Sequence, residues 1–165
     1  IGSMSKSHAM TGSRIGWICG PVGVIENLTN FATHTTYGVP GFIQDAAQFA
    51  LSQGQALEDE VAAPFRQRRR IALDLIAQQN LVRAVPCSGA MYLMLDIRAT
   101  GLSGEAFAHA LLDAYQIAVM PGESFGQAAA GHIRVAMTVA DDQFFRALTV
   151  LLSFAIEFDE NKRRF

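Results

Sequence analysis

The fold of this chain is indicated by one short stretch near its start, residues 3–16, which reads SMSKSHAMTGSRIG. The stretch contains two cations, Lys6 and Arg14, and no acidic residue comes before Glu26. Lysine is otherwise scarce, because only two of the 13 basic residues are lysines. Either both cations are solvated in a loop, as most lysines and arginines are, or they bind an anion that the stretch itself does not contain.

The side chains of this stretch suit an aldehyde that carries a phosphate. An ammonium group without a nearby carboxylate is poorly compensated, so partial burial would favour the neutral amine of Lys6, which can form a Schiff base. The hydroxyl groups of Ser3, Ser5 and Thr11 are hydrogen-bond donors. Arg14 adds a guanidinium that can donate two parallel hydrogen bonds to a phosphate. Pyridoxal 5'-phosphate is the candidate ligand, and the residues alone leave the solvated loop open as the alternative.

The same stretch resembles a known motif. It is similar to the cofactor-lysine motif of the class I/II aminotransferases, the fold-type I pyridoxal-phosphate enzymes related to aspartate aminotransferase. The family pattern is Ser-x-Ser-Lys, two variable residues, a small residue, an apolar residue and then Gly-x-Arg-apolar-Gly. Residues 3–16 match this pattern without a departure, and the many constrained positions make the match specific.

Four further stretches resemble the family in the expected order. QDAA at residues 44–47 resembles the start of its long connecting helix, and SGAMY at 88–92 is similar to the beginning of one of its strands. VMPGESFG at 119–126 resembles its PG-x-x-FG loop, and GHIRV at 131–135 resembles its carboxylate-binding strand. The resemblance therefore covers nearly all of the 165 residues.

The resemblance implies roles for four residues. Lys6 would form the internal aldimine and carry a proton between the substrate Cα and the cofactor C4' atom. Ser3 and Arg14 would bind the cofactor phosphate, and Arg134 would bind the substrate α-carboxylate. The residues around Arg134 agree with that role, because an arginine in an apolar strand needs an anionic partner if it is buried. The alternative is an edge strand on which Arg134 faces water.

Periodicity and turn residues predict strands that alternate with helices. Buried strands are predicted at 15–18 and 90–97, and short strands at 132–137 and at 117–120, where Pro121 stops the strand. Helices are predicted at 22–31 and at 42–80, the second broken or kinked at Pro64. Two more helices follow, one capped by Ser103 and one by Thr138 with Asp141. Their predicted buried residues are Phe107, Leu111, Ala114 and Tyr115 in the first and Phe144, Leu148, Leu151 and Ala155 in the second.

This alternation places the chain in the α/β class, with an α+β small domain. The resemblance implies the C-terminal part of the fold-type I pyridoxal-phosphate-dependent transferase fold. Residues 1–42 would form the end of the large cofactor-binding domain, with the Schiff-base lysine. Residues 43–80 would be the connecting helices, and residues 81–165 the small C-terminal domain.

Composition argues against several classes of partner. A net charge of -2 and a sequence pI near 6.1 do not suit a protein that binds nucleic acid or an anionic membrane. The arginines of the cluster at 66–70 are interpreted as a solvated helix face. The apolar run at 15–25 is interrupted by glycine and proline, so it cannot span a membrane as a helix. No membrane and no nucleic-acid partner is therefore predicted.

The cysteines and histidines carry further expectations. Cys19 and Cys87 are too few for a disulfide framework, which favours a reducing compartment and hence the cytoplasm. The four histidines have no ligand-like partners at metal-binding spacing, so no metal site is predicted.

The function implied by the resemblance is transfer of an amino group between an amino acid and a 2-oxo acid. A homodimer is also implied, because the loop at 37–42 approaches the neighbouring subunit in relatives. The chain alone is expected to be inactive, since it lacks the acid that pairs with the pyridine nitrogen, the residues that bind the ring hydroxyl, and the stacking aromatic. Two alternatives stay open, an effector domain of an aminotransferase-like transcription regulator and a pyridoxal-phosphate-dependent lyase.

Overall fold

The computed structural model of this protein describes residues 1–163, with side chains described through residue 158. Two compact units make up the chain, the first covering residues 1–64 and the second beginning at Phe65. The first contains β1 (Gly2–Ser3), α1 (Met4–Ser7), β2 (Gly16–Trp17), α2 (Val22–Thr33), α3 (Gly41–Ser52) and most of the first half of α4 (Gln55–Ile76). The second continues with β3 (Arg83–Ala84), β4 (Tyr92–Asp96), α5 (Gly104–Tyr115), β5 (Met120–Pro121), β6 (His132–Ala136) and α6 (Asp141–Arg163). The predicted division at residues 42 and 80 stays a prediction.

The first unit is organised around the short helix α1. Met4 on this helix is fully buried and packs with Ala47 and Ala50 of α3. The strands on either side of the lysine stretch, β1 and β2, pair antiparallel, which places Ser3 opposite Gly16. A Cβ atom at Gly16 would collide with the carbonyl oxygen of Gly2, so only glycine permits this close pairing. The two ends of the lysine stretch are therefore joined.

The buried strand predicted at 15–18 is wrong in both length and burial. The observed strand β2 contains two residues, and the side chains of Trp17 and Ile18 are 44% and 48% exposed. The reason is that β2 belongs to a sheet of only two strands, which no other layer of the described chain covers. The helix predicted at 22–31 is confirmed and extends to Thr33.

The helical stretch predicted at 42–80 is divided at Gly54 and continues through Pro64. Helix α3 ends at Ser52, and Gly54 takes the left-handed backbone conformation, with φ +62, that ends many helices. Pro64 lies inside α4, where it removes one backbone hydrogen bond without ending the helix. A glycine that readily adopts positive φ is therefore the stronger helix breaker in this stretch.

The second unit contains a four-stranded antiparallel sheet in the order β3-β4-β6-β5. Alternate residues of the two central strands face the core, as a period of two requires, and the fully buried ones include Leu93, Leu95 and Ile133. The strands predicted at 90–97 and 132–137 are confirmed, the first shortened at both ends and the second only at its C-terminal end. Pro121 is part of the edge strand β5, a position where a missing backbone N–H is tolerated.

Helices α5 and α6 supply the rest of this core. Ser103 caps α5 as predicted, because its hydroxyl oxygen accepts from the backbone N–H of Ala106 at 3.1 Å. Phe107 and Leu111 are fully buried, but Ala114 and Tyr115 are exposed, which corrects half of the predicted face. The buried positions predicted for α6 are all confirmed: Phe144, Leu148, Leu151 and Ala155.

Arg68 shows that the arginine cluster is not simply a solvated helix face. Its guanidinium donates to the carbonyl oxygen of Met137 and to the carboxylate of Asp141, and it lies over the ring of Phe65. The side chain is only 15% exposed. The predicted capping box of Thr138 with Asp141 is also wrong, because α6 begins at Asp141, whose carboxylate is paired with Arg68. Arg68 thus holds the C-terminal half of α4 against the start of α6.

Phe107→Ala is expected to destabilise the second unit by about 3–5 kcal/mol, the usual range for removing a buried phenyl ring. Phe107 is fully buried, and its ring makes an edge contact with Phe154 at 5.2 Å. Urea unfolding followed by far-ultraviolet circular dichroism measures the loss. The matched control is Leu112→Ala on the same helix, where the side chain is 39% exposed and the loss should stay near 1 kcal/mol or below. Equal losses in both variants would contradict the packing described here.

Candidate active site

The predicted cofactor lysine lies on a single capped turn of helix. Ser3 caps α1, because its hydroxyl oxygen accepts from the backbone N–H of Ser5 at 3.1 Å. An oxygen that accepts this bond keeps its own hydrogen to donate, and no described residue accepts it. Lys6 is on the exposed side of the turn, and none of the described carboxylates forms an ion pair with it. The partial burial predicted for Lys6 is therefore not provided by this chain.

Arg14, near the end of the same stretch, has a strained backbone conformation. Its backbone is left-handed, with φ 50 and ψ 45, which costs a residue with a Cβ atom about 1 kcal/mol. Its Nη1 atom donates to the carbonyl oxygen of Thr11 at 3.0 Å, and the other guanidinium N–H groups have no described acceptor. Strain of this kind is common where a side chain must be held for binding.

An open cleft of about 390 Å³ is lined by residues at both ends of the lysine stretch. Its polar lining comes from Ser3, Ser5 and Arg14, and Gly16 brings the backbone close. No acidic side chain lines it. The donors are hydroxyl and guanidinium groups, which suit a phosphate, and Lys6 follows Ser5 directly in sequence. The residues present therefore fit the phosphate and aldehyde ends of pyridoxal 5'-phosphate.

His8 connects the lysine turn with helix α4. Its ring is buried, with Nδ1 at 2.8 Å from the hydroxyl oxygen of Ser7 and Nε2 at 3.8 Å from a carboxylate oxygen of Glu58 on α4. The hydroxyl of Ser7 also donates to the carbonyl oxygen of Ser3. Sequence reasoning missed this contact because Glu58 is far away along the chain. His8 is a scaffold residue of the turn.

Arg134 lies in the second unit, on the central strand β6. Its guanidinium carbon is 4.2 Å from the ring centroid of Tyr92 and 4.6 Å from that of Phe125, so both rings support it by cation–π contact. The side chain is half-buried, and no described carboxylate pairs with it. Three of the family-like stretches, at 88–92, 119–126 and 131–135, thus meet at one guanidinium. Sequence reasoning missed the roles of Tyr92 and Phe125, although both lie inside stretches it had selected.

Glu123, close to Phe125 in sequence, accepts hydrogen bonds from backbone N–H groups. One carboxylate oxygen accepts from the N–H of Gly131 at 3.1 Å and of Gly104 at 2.9 Å. These bonds, that of Gly131 first, hold the pKa of Glu123 below its ordinary value. The second oxygen is buried without a hydrogen-bond partner. Backbone groups therefore bind this carboxylate. No sequence signal pointed to this arrangement.

A salt bridge at the far end of β4 provides a pH-dependent test of the second unit. Hydrogen bonds from Arg98 lower the pKa of Asp96 from its ordinary 3.8 to about 2. A lowered pKa means that the stabilisation is fully present above the ordinary pKa and is lost as pH falls through the folded-state value. The loss should therefore occur between about pH 4 and about pH 2.

Asp96→Asn is expected to lower the free energy of unfolding by about 1 kcal/mol at neutral pH, because Arg98 is largely exposed and solvent weakens the pair. Unfolding at several pH values measures the effect, and the difference from the parent chain should vanish near pH 2. Asp142→Asn, which breaks the fully exposed pair with Arg146, is the control and should cost less. A difference that persists unchanged at pH 2 would contradict the assignment.

The sequence as a whole was compared with protein-family models. The model for aminotransferase class I and II matches residues 1–151. The chain belongs to this family. The match includes both the lysine stretch and β6, so the predicted resemblance is confirmed for the family.

Individual relatives of this class I and II aminotransferase chain agree. An arginine–pyruvate transaminase of Pseudomonas aeruginosa is 43% identical over 139 residues, which is 84% of this chain and 35% of the relative. An aspartate aminotransferase of Pyrococcus horikoshii is 28% identical over 88% of this chain and 38% of its own length. The crystal structure of an aromatic aminotransferase from Pyrococcus horikoshii matches with a TM-score of 0.85 and 30% identity, over 96% of this chain and 42% of that one. The predicted fold class, part of the fold-type I fold, is confirmed.

The chain spans between 35% and 42% of the length of these three relatives. The relatives are named as aminotransferases, and nothing among them supports the regulator or the lyase alternative.

Within residues 1–163, every helix is too short or too polar to cross a bilayer. Side chains that ligate metals do not gather in threes anywhere in the described part of the chain.

Proposed function

We propose that this chain is the C-terminal portion of a pyridoxal-phosphate-dependent aminotransferase that exchanges an amino group between an amino acid and a 2-oxo acid. One observation carries the proposal. Ser3, Ser5 and Arg14 supply the hydrogen-bond donors that line an open cleft, and Lys6, which has no ion pair among the described residues, directly follows Ser5 in the sequence. Family membership supports it, because the relatives are transaminases.

Each residue has a definite task in this proposal. The cofactor, when bound, supplies an electron sink for charge that develops at the substrate Cα. Lys6 would hold the aldehyde end of the cofactor through Nζ and would move the proton at the substrate Cα. Ser3 donates its free hydroxyl hydrogen to the phosphate, and Arg14 contributes its remaining N–H groups.

Arg134 is proposed to bind the α-carboxylate of the substrate. The rings of Tyr92 and Phe125 hold its guanidinium carbon within 4.6 Å, which leaves the N–H groups in the plane of the guanidinium for a carboxylate. The relatives are named for arginine with pyruvate, for aspartate and for aromatic amino acids. These amino acids share only the α-amino and α-carboxylate groups, and pyruvate shares the carboxylate. Arg134 would therefore recognise the common part of amino acid and 2-oxo acid substrates.

The 165-residue chain alone is proposed to be inactive. No carboxylate lines the cleft, so none of the described residues that line it would keep the pyridine nitrogen protonated. An unprotonated ring withdraws electrons weakly, which leaves the Cα proton hard to remove.

A cytoplasmic homodimer is proposed for the full-length protein. Large apolar side chains on α2 and α3 are strongly exposed, among them Val22, Phe31, Phe42 and Phe49, which are 67–75% exposed. Surfaces of this kind usually contact further protein. Both cysteines, Cys19 and Cys87, are free, as is usual in a reducing compartment.

Borohydride trapping tests the proposed cofactor site. The chain is incubated with pyridoxal 5'-phosphate, reduced and digested, and mass spectrometry identifies the modified amines. We expect the label on Lys6, while Lys162, the second lysine of the sequence, serves as the internal control. Labelling of Lys162 at the same or a higher level than Lys6 would overturn the assignment. In the full-length protein, release of ammonia in place of keto-acid exchange would overturn the reaction type.

A further inference from the structure

Thr11 joins the two ends of the candidate cofactor site. Its hydroxyl donates to the carbonyl oxygen of Ser5 at 2.8 Å, and its own carbonyl oxygen accepts from Nη1 of Arg14 at 3.0 Å. The sequence suggested that this hydroxyl binds phosphate. The hydrogen is instead committed within the chain, so the residue has a different task.

The bond to Ser5 completes the lysine turn. Helix α1 has only four residues, and Ala9 takes a left-handed conformation with φ 53, so the helix cannot continue. Carbonyl groups at a helix end need partners from outside the helix. The Thr11 hydroxyl supplies one for Ser5, the residue directly before Lys6.

The bond to Arg14 restrains a long and exposed side chain. A free arginine loses much rotational freedom when it binds an anion, and a side chain that is already anchored loses less. Because both bonds come from one residue, movement of Thr11 would displace the lysine turn and the arginine together.

We propose that Thr11 is a positioning residue that sets the spacing between Lys6 and Arg14, so that the aldehyde and phosphate ends of one cofactor molecule are held at the same time. This inference rests on the proposed function. It predicts that the Thr11 hydroxyl contributes to binding only when the aldehyde carries a phosphate.

Thr11→Val tests this inference, since it removes the hydroxyl but keeps the branched shape of the side chain. The probes are pyridoxal 5'-phosphate and pyridoxal, which lacks the phosphate, and affinity is measured by absorbance titration and by borohydride trapping on Lys6. We expect about three- to tenfold weaker binding of pyridoxal 5'-phosphate and unchanged binding of pyridoxal. Thr11→Ser should restore binding because it restores the donor.

Two further variants separate positioning from folding. Ser13→Ala removes a hydroxyl from the same turn and should bind both probes like the parent chain. In an Arg14→Met background, Thr11→Val should have no additional effect on pyridoxal 5'-phosphate, because the group it positions is gone. Far-ultraviolet circular dichroism checks that every variant is folded.

The outcomes distinguish this inference from the proposed function. Equal weakening of both probes in Thr11→Val would show a purely structural role and overturn the inference. Parent-like affinity in that variant would overturn it as well, while labelling of Lys6 would leave the proposed function intact. Absence of any label on Lys6 in the parent chain would overturn both.

Discussion

Lys6→Ala in the full-length protein is expected to lower kcat by about 10⁴-fold or more, because in the proposed function one amine would both hold the cofactor and move the Cα proton. Stopped-flow absorbance under single-turnover conditions measures the chemical step directly. The lysine turn itself should survive, since Lys6 is exposed and its side chain forms no hydrogen bond or ion pair with the described residues. Circular dichroism and the urea midpoint should therefore match those of the parent.

Lys6→Arg separates the proposed role from that of an ordinary surface cation. Arginine keeps the positive charge but is not deprotonated in proteins, so it cannot act as a nucleophile or a base. Turnover should be as low as in Lys6→Ala. Lys162→Ala, at the other lysine of the sequence, should have parent-like turnover. An active Lys6→Arg variant would show that Lys6 is merely a solvated charge.

Arg134→Ala is expected to lower kcat/KM for amino acid substrates by about 30- to 1000-fold, the usual effect of removing one partner of a buried charge pair. Most of the loss should appear in KM, since the carboxylate is bound in the ground state as well as in the transition state. Arg134→Lys should recover only part of the loss. A lysine ammonium is a point charge that does not form two parallel bonds, and it lacks the planar group that lies over Tyr92 and Phe125.

Two controls make the Arg134 experiment specific. Arg98→Ala removes an exposed arginine of the same unit that pairs with Asp96, and it should leave kcat/KM unchanged. A primary amine without a carboxylate should react equally slowly with the parent and with Arg134→Ala. If Arg134→Ala impairs reaction of this amine as strongly as that of the amino acid, Arg134 does not recognise the carboxylate.

Local signals accounted for much of the fold. The Ser103 cap, the apolar face of α6 and the two central strands were all predicted, because caps and periodicity depend on residues a few positions apart. Predictions failed where residues far apart in the sequence decide whether a side chain is buried or paired. Trp17 and Ile18 were expected in a core because they are apolar, but no layer of the described chain covers them. Asp141 was expected to form a capping box with Thr138, but its carboxylate pairs with Arg68 on α4.

The sequence by itself determined the family and the identity of Lys6, Ser3, Arg14 and Arg134 as the residues to study, because their motifs are contiguous and specific. Only the tertiary structure decided how these residues are held. It showed that Thr11 binds both Ser5 and Arg14, and that the rings of Tyr92 and Phe125 meet at Arg134. The physical reason is that a motif records which side chains are present, whereas hydrogen bonds and ring contacts depend on how the backbone turns between them.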